Sequence, residues 1–289
     1  MPELPEVETI RRQLAPLVQG QVLERVEVLD ARWCAPVSVE AMQEALRGRE
    51  VLRLDRRGKY LIWELDDGLR LLLHLRMTGA LLADPGERPA HARVRWGLRA
   101  HEVWLVDPRR FGTGELARGP EGLDAFLATR LGLEPFDPAF TAAHLRALAT
   151  GRRAPIKAFL LDQRRVAGIG NIYADEALHR AAIHPLRPAG ELRAGDWERL
   201  RAAVLQALGD GIDARGASID DFRHIDGVRG SFQERFLVYG RTGLPCGRCG
   251  AAIVKLRAAG RGTYICGRCQ RAPRRRRPAA ASGPPEDHV

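Results

Sequence analysis

Cys246-Gly247-Arg248-Cys249 is the first half of the stretch that decides how the end of this chain folds. The second half, Cys266-Gly267-Arg268-Cys269, follows after residues 250–265. Two CxxC pairs at this distance let four thiolates converge tetrahedrally on one Zn²⁺ at about 2.3 Å. We therefore predict a zinc module over 241–269, with Cys246, Cys249, Cys266 and Cys269 as the ligands. A structural zinc of this kind contributes on the order of 10–16 kcal/mol to folding a module that has almost no core of its own.

Because every predicted ligand is a cysteine, no coordination position stays open, and we expect a structural zinc and no organic cofactor. Two disulfides or a redox CxxC are the alternatives, which the lack of a thioredoxin-like βαβ pattern disfavours. Between the cysteine pairs, Gly260-Arg261-Gly262 is predicted to form the turn of a hairpin. An arginine on such a turn is suited to a phosphate, and a solvated turn residue is an equal alternative. The fifth cysteine, Cys34, is expected to be a buried apolar residue.

Charge and composition restrict the class of protein. The 289 residues are enough for two domains, and a formal net charge of +10 with a pI near 10.1 favours a polyanionic partner, most often nucleic acid. Five arginines against Glu286 and Asp287 give the end of the chain, 270–289, a charge of +3, so the remainder keeps +7. No apolar run approaches a membrane span and no signal peptide is evident, so we expect a cytoplasmic bacterial protein.

The hydrophobic pattern divides the chain into parts of different character. An amphipathic helix is predicted over 4–18, and period-two alternation over 21–116 indicates a sandwich or barrel, so the fold class is α+β and multidomain. A Gly/Pro-rich linker is predicted over 117–137. The predicted parts that follow it are helices over 138–149, 155–162 and 171–181, a helix capped by Asp196, a polar loop over 215–235, the zinc module and a disordered basic tail over 270–289.

The first residues offer an unusual nucleophile. If Met1 is removed, the chain begins with the secondary amine of Pro2, beside the carboxylate of Glu3. An α-amino group has a pKa of about 7.7–8.0, against about 10.4 for lysine, so far more of it is the free base near neutral pH. A proline amine that adds to an aldehyde-like carbon becomes a cationic iminium. The alternative interpretation is a proline that only sets φ in the first turn of a helix.

Several separate motifs occur in an order that resembles the formamidopyrimidine-DNA glycosylases, bacterial repair enzymes for oxidised purines. They are Met1-Pro2-Glu3-Leu4-Pro5-Glu6-Val7-Glu8-Thr9, Arg57-Gly58-Lys59-Tyr60-Leu61, His74-Leu75-Arg76-Met77-Thr78-Gly79, Asp107-Pro108-Arg109-Arg110-Phe111-Gly112, Gly168-Ile169-Gly170-Asn171-Ile172-Tyr173-Ala174 and the zinc hairpin. The resemblance implies a catalytic helix and β-sandwich over 1–116, a helix-two-turn-helix DNA-binding domain over 138–240 with a lesion-covering loop over 215–235, and a zinc finger over 241–269. Double-stranded DNA with an oxidised or abasic site is the implied partner, and we expect a monomer.

The resemblance also implies roles for single residues. Pro2 attacks C1′ of the damaged nucleotide, Glu3 is the general acid/base, Glu6 helps to hold the amine, and β,δ-elimination follows. Lys59 and Arg261 belong to the implied catalytic group and, with the following residues, to the positions that bind phosphates around a flipped nucleotide: His74, His91, Arg110, Lys157, Asn171 and Tyr173. Taken alone, His74 is better read as a hydrogen-bonded core histidine.

Three residues resemble the family's group that fills the gap left by the flipped base, namely Met77, Arg109 and Phe111. Met77 and Phe111 each lie beside Gly and Arg, which is typical of exposed loop tips. The presumed lesion loop includes Ser218, Gly227, Gly230 and Phe232. Arg93, and Arg215-Gly216-Ala217-Ser218, depart from the family pattern, so the choice among lesions is the weakest implication.

Other functions stay open from the sequence. The related endonuclease VIII branch, which acts on oxidised pyrimidines, typically has Gly after Met-Pro-Glu, whereas this chain has Leu4. A catalytically inert zinc-dependent DNA-binding protein would have little reason to keep Pro2 and Glu3. A zinc ribbon that binds RNA would not account for the first hundred residues. We treat the basic tail as a non-specific arm whose removal reduces the salt dependence of DNA binding.

Overall fold

The computed structural model of the chain describes residues 2–218, 225 and 230–273. Residues 274–289 of the predicted basic tail 270–289, and residue Gly227 of the predicted lesion loop, lie outside the described residues. Gln270 is buried and donates to the carbonyl of Ile183 at 2.9 Å, so the ordered part of the chain continues beyond the predicted end of the zinc module. The predicted class, α+β with several structural units, is confirmed: a β-sandwich with an N-terminal helix, a helical unit and a cysteine-bearing hairpin follow one another.

The first helix, α1 (Leu4–Val18), begins as the sequence predicts and lies between two cores. Pro5 occupies its first turn, where a missing N–H costs nothing. Leu4 packs into the helical core, whereas Val7 and Ile10 pack into the sandwich core. Every residue from 4 to 10 is therefore buried, which a one-sided amphipathic helix would not require.

Two four-stranded antiparallel sheets form the sandwich. In spatial order they are β1-β6-β7-β5 and β2-β3-β4-β8. The strands are β1 (Arg25–Val28), β2 (Val51–Arg57), β3 (Tyr60–Leu65), β4 (Leu69–His74), β5 (Ala80–Ala83), β6 (Ala92–Gly97), β7 (Glu102–Val106) and β8 (Thr113–Arg118), with helix α2 (Val39–Leu46) inserted after β1. Trp33, Trp63 and Trp96 fill the core, and Gly114 leaves room for the Trp33 ring, which a Cβ at that position would approach to 2.1 Å. Cys34 is buried beside them, in agreement with the sequence.

The stretch predicted as a linker, 117–137, contains a helix, α3 (Gly119–Ala128). Gly119 and Pro120 led the sequence to predict a loop, but Pro120 lies in the first turn, where proline fits a helix. Phe126 and Leu131 pack against Tyr60 on the outside of the sandwich. This part of the chain is thus joined to the sandwich rather than free of it.

The helical unit consists of α4 (Ala142–Ala149), α5 (Ile156–Leu161), α6 (Asn171–Arg180) and α7 (Ala194–Asp213). Its core packs Phe159 edge-on against Trp197. Asp196 does not cap α7 as predicted. It lies in the first turn, and its carboxylate accepts the N–H of the true N-cap, Arg193, at 3.0 Å.

A two-stranded hairpin, β9 (Val254–Ala258) and β10 (Arg261–Ile265), carries the cysteine pairs at its base. Its turn is Ala259-Gly260, both with positive φ, so Arg261 is the first residue of β10 rather than the middle of the turn. Among the described residues, no helix is both long and apolar enough to cross a membrane.

Candidate functional site

Glu3 joins the start of the chain to the helical unit. Its carboxylate accepts the backbone N–H groups of Gly170 at 2.7 Å, Ile172 at 2.9 Å and Tyr173 at 3.4 Å, at the N-terminus of α6. A helix N-terminus stabilises negative charge through its unpaired N–H groups and its dipole. The approach is so close that a Cβ on Gly170 would lie 2.3 Å from the Glu3 carboxyl carbon. Glu3 is therefore fixed, 2% exposed, directly beside Pro2.

Glu6 lies one helical turn further and links three segments. It accepts the N–H of Glu3 at 2.9 Å, the hydroxyl of Tyr173 at 2.8 Å and the N–H of Ala217 at 2.7 Å. Burial, together with the nearby charge of Glu3, raises the pKa of the Glu6 carboxyl. Tyr173 is 1% exposed and stacks on Phe232, so the structure places this predicted phosphate contact behind Glu6 and not at the surface.

Lys59 faces the two glutamates from the turn between β2 and β3. Burial lowers the pKa of its ammonium, and the charges of Glu3 and Glu6 partly offset that effect. The turn is held by Glu134, which the sequence did not indicate: its carboxylate accepts the N–H of Gly58 and pairs with Arg56 at 3.1 Å. Glu134 lies 76 residues from Gly58, and no local pattern marks it.

Lys157 is not where a phosphate contact is expected. Its side chain is fully buried, and its ammonium lies 2.7 Å from the Asp175 carboxylate and 2.7 Å from the Thr263 hydroxyl. Burial lowers the pKa of Lys157 and raises the pKa of Asp175 to about 7, while each partner's charge opposes the shift of the other. Lys157 therefore fastens the zinc hairpin to α5 and α6, and its contact with a phosphate stays a prediction.

Arg261 and Asn171 lie at the open side of the same hairpin. Arg261 is exposed, and its charge acts on both Lys59 and Lys157. The Asn171 amide donates to the carbonyl of Gly262 at 3.0 Å. These contacts bring together Lys59 of the sandwich, Asn171 of the helical unit and Arg261 of the zinc hairpin, and their role at phosphates stays a prediction.

Helix α6 supports the zinc module through three side chains that the sequence analysis missed. Asp175 accepts the N–H of Tyr264 at 3.0 Å, and Glu176 accepts the N–H groups of residues 237–239, each at 3.0 Å. His179 Nε2 lies 3.4 Å from Cys246 Sγ. The available signal for these roles is that two acids and a histidine occur in a helix whose residues 172–179 are all buried.

The four cysteines form the zinc site. Their sulfurs lie within 4.8 Å of one another, with Cys246 and Cys269 4.0 Å apart and Cys249 and Cys266 3.4 Å apart. Tetrahedral Zn²⁺ with Zn–S distances of about 2.3 Å places its sulfurs about 3.8 Å apart, so the cluster fits the ion. The protein holds one structural zinc, as predicted.

Three further predicted phosphate contacts lie at the edge of the sandwich. His74 Nδ1 accepts the N–H of Arg76 at 2.9 Å, and burial lowers the pKa of the ring to about 3. The neutral ring therefore carries its proton on Nε2. Arg110 pairs with Asp30 at 2.8 Å, with a half-exposed side chain, and His91 is exposed in the turn before β6.

The three residues expected to fill a base gap lie at exposed loop tips. Met77, 38% exposed, follows β4, and Phe111, 49% exposed, precedes β8. The Arg109 guanidinium lies 4.8 Å from the centre of the Phe111 ring. Exposed apolar side chains of this size beside arginines are suited to contact with another molecule.

The described part of the presumed lesion loop returns towards Glu6. Ser218 Oγ accepts the N–H of Gly230 at 2.9 Å, and a Cβ on Gly230 would meet the Gly216 carbonyl at 2.3 Å. Phe232 is fully buried and holds Tyr173 by stacking. Ser218, Gly230 and Phe232 thus lie together, and Gly227 is outside the described residues.

Family models match three successive segments of the chain. They are the formamidopyrimidine-DNA glycosylase N-terminal domain over residues 1–114, the formamidopyrimidine-DNA glycosylase H2TH domain over 131–223, and a zinc finger found in FPG and IleRS over 243–272.

Relatives and solved structures agree with these matches. The formamidopyrimidine-DNA glycosylase of Desulfitobacterium hafniense strain DSM 10664 / DCB-2 is 45% identical over 93% of this chain and 100% of its own length. The crystal structure of MutM (Fpg) from Thermus thermophilus has a TM-score of 0.85 at 41% identity, with 93% and 98% of the two chains covered. A Lactococcus lactis Fpg mutant bound to Fapy-dG DNA has a TM-score of 0.89 at 36% identity, with 94% and 100% covered.

Proposed function

The chain belongs to the formamidopyrimidine-DNA glycosylase family, and we propose from this premise how its own residues carry out the reaction. It is a base-excision repair enzyme, a DNA glycosylase with abasic-site lyase activity, and damaged double-stranded DNA is its partner. The observation that carries the residue assignment is the fixed carboxylate of Glu3, held at the N-terminus of α6 beside Pro2.

In the first step, the Pro2 nitrogen bonds to C1′ of the damaged nucleotide and the bond from C1′ to the base breaks. This requires that Met1 has been removed, because a peptide nitrogen is not nucleophilic. The departing base takes a proton from water, and the Glu3 carboxylate takes the N–H proton of the attached Pro2 nitrogen. Glu3 then passes this proton to the sugar oxygen as the C1′–O4′ bond breaks and the freed nitrogen lone pair forms the iminium. No group has to be brought across the pocket, since Glu3 follows Pro2 directly in the chain.

The iminium is an electron sink for two eliminations. Loss of a proton from C2′ expels the 3′ phosphate, and a second elimination expels the 5′ phosphate, which leaves a one-nucleotide gap. We assign these phosphates to Lys59 and Arg261. The charges of Glu3 and Arg261 both act on Lys59, and neither cation, unlike Lys157, has a carboxylate within ion-pair distance in the described part of the chain.

A flipped nucleotide needs its flanking backbone held at several points. We assign this to Asn171, Arg110 and His91, whose side chains are at least partly exposed, and to the Nε2–H of His74, whose ring is buried at the edge of the sandwich. Lys157 and Tyr173 act from behind, by fixing the hairpin and Glu6. Met77, Arg109 and Phe111 enter the gap, and Arg109 reads the orphaned base.

We propose 8-oxoguanine and ring-opened purines as the substrates, read by the loop that contains Ser218, Gly230 and Phe232. The support is the family assignment and the crystal structure of a Lactococcus lactis Fpg mutant in complex with Fapy-dG DNA. Another structure of that protein holds DNA with an oxidised pyrimidine, which makes pyrimidine lesions the second candidate substrate class. We also propose that the enzyme is located in the cytoplasm and works as a monomer. Sedimentation in the absence and presence of DNA tests the oligomeric state.

Borohydride trapping on a duplex with one 8-oxoguanine opposite cytosine tests the proposal. We expect a covalent adduct, and mass spectrometry of the N-terminal peptide should place it on Pro2. The absence of an adduct from protein that begins at Pro2 and still binds the duplex would replace the proposal with an inert DNA-binding protein. Protein that retains Met1 is the control that should give no adduct.

A further inference from the structure

Asp107 is a buried carboxylate that ties two loops together. It lies at the end of β7, is 1% exposed, and its Oδ2 accepts the N–H groups of Phe111 at 2.8 Å and Gly112 at 2.7 Å. Its Oδ1 accepts the hydroxyl of Thr78, at 2.5 Å, and the N–H of Arg109, at 3.3 Å. Thr78 belongs to the other loop, between β4 and β5.

The two loops joined in this way, 75–79 and 107–112, are named the wedge loops here because they carry Met77, Arg109 and Phe111. The Thr78 hydroxyl oxygen also accepts the Arg109 N–H at 3.3 Å, so the loops touch at a second point. The backbone of Asp107 is fixed from the neighbouring strand, since its carbonyl accepts Arg93 Nε at 2.8 Å. Arg93 was noted from the sequence as a departure from the family pattern, and this bond gives it a local role.

The wedge loops are fixed through their backbones and not through the side chains at their tips. Met77, Arg109 and Phe111 are exposed, and the loop between β7 and β8 includes the positive φ of Arg110. A buried carboxylate that accepts several N–H and O–H bonds fixes the backbone of its donors. Asp107 thus holds from below the backbone that carries Arg109 and Phe111 and, through Thr78, the backbone that follows Met77.

We propose that Asp107 is a positioning residue that presets the wedge loops for insertion into the gap left by the flipped base. This inference rests on the proposed function, because it concerns how the same enzyme opens its duplex substrate. Preset tips lose less conformational freedom on entering DNA, so the hold of Asp107 favours binding and opening of the duplex. A single strand with an abasic site has no orphaned base and no gap to fill, so it does not need the wedge.

The test compares two substrates with variants of both partners. Asp107→Asn replaces an acceptor oxygen with an NH₂ group that cannot accept the N–H donors. Thr78→Val removes only the Thr78 hydroxyl, and with it both bonds between the loops. We expect kcat/KM on duplex 8-oxoguanine opposite cytosine to fall 10- to 100-fold in D107N and about 5-fold in T78V, together with the preference for cytosine. Borohydride trapping on a single strand with an abasic site should stay within about twofold of the wild type. Thr78→Ser keeps the hydroxyl and should restore the duplex activity.

Several outcomes would overturn the inference. Duplex activity of T78V equal to that of T78S would show that the bond between the loops has no role in opening the duplex. An equal loss on duplex and single strand, with a lower melting temperature, would reduce Asp107 to a folding residue. A wild type that traps neither substrate would reject the proposed function itself, and is thereby distinguished from a failure of the wedge inference.

Discussion

The reaction pocket and the wedge loops hold their functional side chains in opposite ways. The reaction pocket, formed by Glu3, Glu6, Lys59 and Tyr173, is buried, and each glutamate is bonded to groups from the helical unit. In the wedge loops, Met77 and Phe111 are exposed and only the backbone beneath them is fixed.

This difference follows from what each region has to do. A proton donor beside the Pro2 nucleophile needs a fixed position and little water, and buried charges persist only when they are paired or hydrogen-bonded. A side chain that enters DNA has to leave water at that moment, so it cannot be packed in the free protein. Substitutions in the buried region should therefore change both stability and activity, whereas those at the loop tips should change activity alone.

Loss of zinc should cause the largest loss of stability, because it removes the support of the hairpin beside the reaction pocket. Chelation, or Cys249→Ser, should unfold the hairpin that carries Arg261, because a site of this kind contributes on the order of 10–16 kcal/mol to its module. We expect DNA affinity to fall at least 100-fold, measured by fluorescence anisotropy with zinc content determined in parallel. Cys34→Ser, at the buried cysteine outside the cluster, is the matched control. Equal affinity of the two variants would contradict the prediction.

Lys157→Met should lower the free energy of unfolding by about 3–5 kcal/mol, because it leaves the buried Asp175 carboxylate without its partner. The double variant with Asp175→Asn should recover much of this loss, which urea denaturation of all four proteins in a double-mutant cycle measures. A coupling energy near zero would show that Lys157 and Asp175 do not stabilise each other, and would favour the phosphate contact that the resemblance implies for Lys157.

His74 lies where the two regions meet, since its ring is buried and the first wedge loop follows it. Burial lowers the pKa of the folded ring from 6.5 to about 3, so the unfolded chain takes up a proton that the folded chain excludes. The neutral ring of His74 therefore costs no stability above pH 6.5, and the free energy of unfolding decreases as the pH falls from 6.5 towards 3. Between pH 6 and 4 the wild type should lose about 2–3 kcal/mol more than His74→Gln.

Denaturant unfolding of both proteins across this pH range measures the difference, from which acid effects shared by the two proteins cancel. Parallel curves for the wild type and His74→Gln would mean that the ring is protonated in the folded state.

Glu3→Gln should lower the free energy of unfolding by about 1–2 kcal/mol, because a neutral amide loses the attraction of the α6 N-terminus. Excision of 8-oxoguanine should fall 10²- to 10⁴-fold through loss of the general acid. Glu44→Gln, on an exposed face of α2, is the control and should change neither quantity. Full excision activity in the Glu3 variant would place the proton donor elsewhere.

The sequence predicted those features that depend on local patterns. The bounds of α1, the four zinc ligands and the exposure of Met77 and Phe111 are all confirmed in the structure. The CxxC spacing and the positions of glycine and arginine carry that information within a few residues.

Features that depend on partners far apart in the chain were missed. Glu134 holds a turn 76 residues away, and Asp175 pairs with Lys157 across two helices. The sequence does not distinguish a buried ion pair from an exposed one, so it predicts Lys157 as a surface contact. The sequence predicts a linker where α3 lies, because Gly119, Pro120 and Gly122 are typical of loops and hide the helical pattern of the apolar residues that pack on Tyr60.

Phe111→Ala should give the smallest change in stability and the sharpest separation of the two regions. Its ring is 49% exposed, so truncation should alter the free energy of unfolding by less than about 0.5 kcal/mol. Phe136, 47% exposed and outside the wedge loops, provides a control with the same chemistry and exposure. We expect Phe111→Ala to reduce excision from duplex DNA about tenfold and Phe136→Ala to leave it unchanged, as measured by single-turnover kinetics beside thermal unfolding. If both variants behave alike in excision, the exposed ring at the loop tip has no role of its own, and insertion into the duplex depends on Met77 and Arg109.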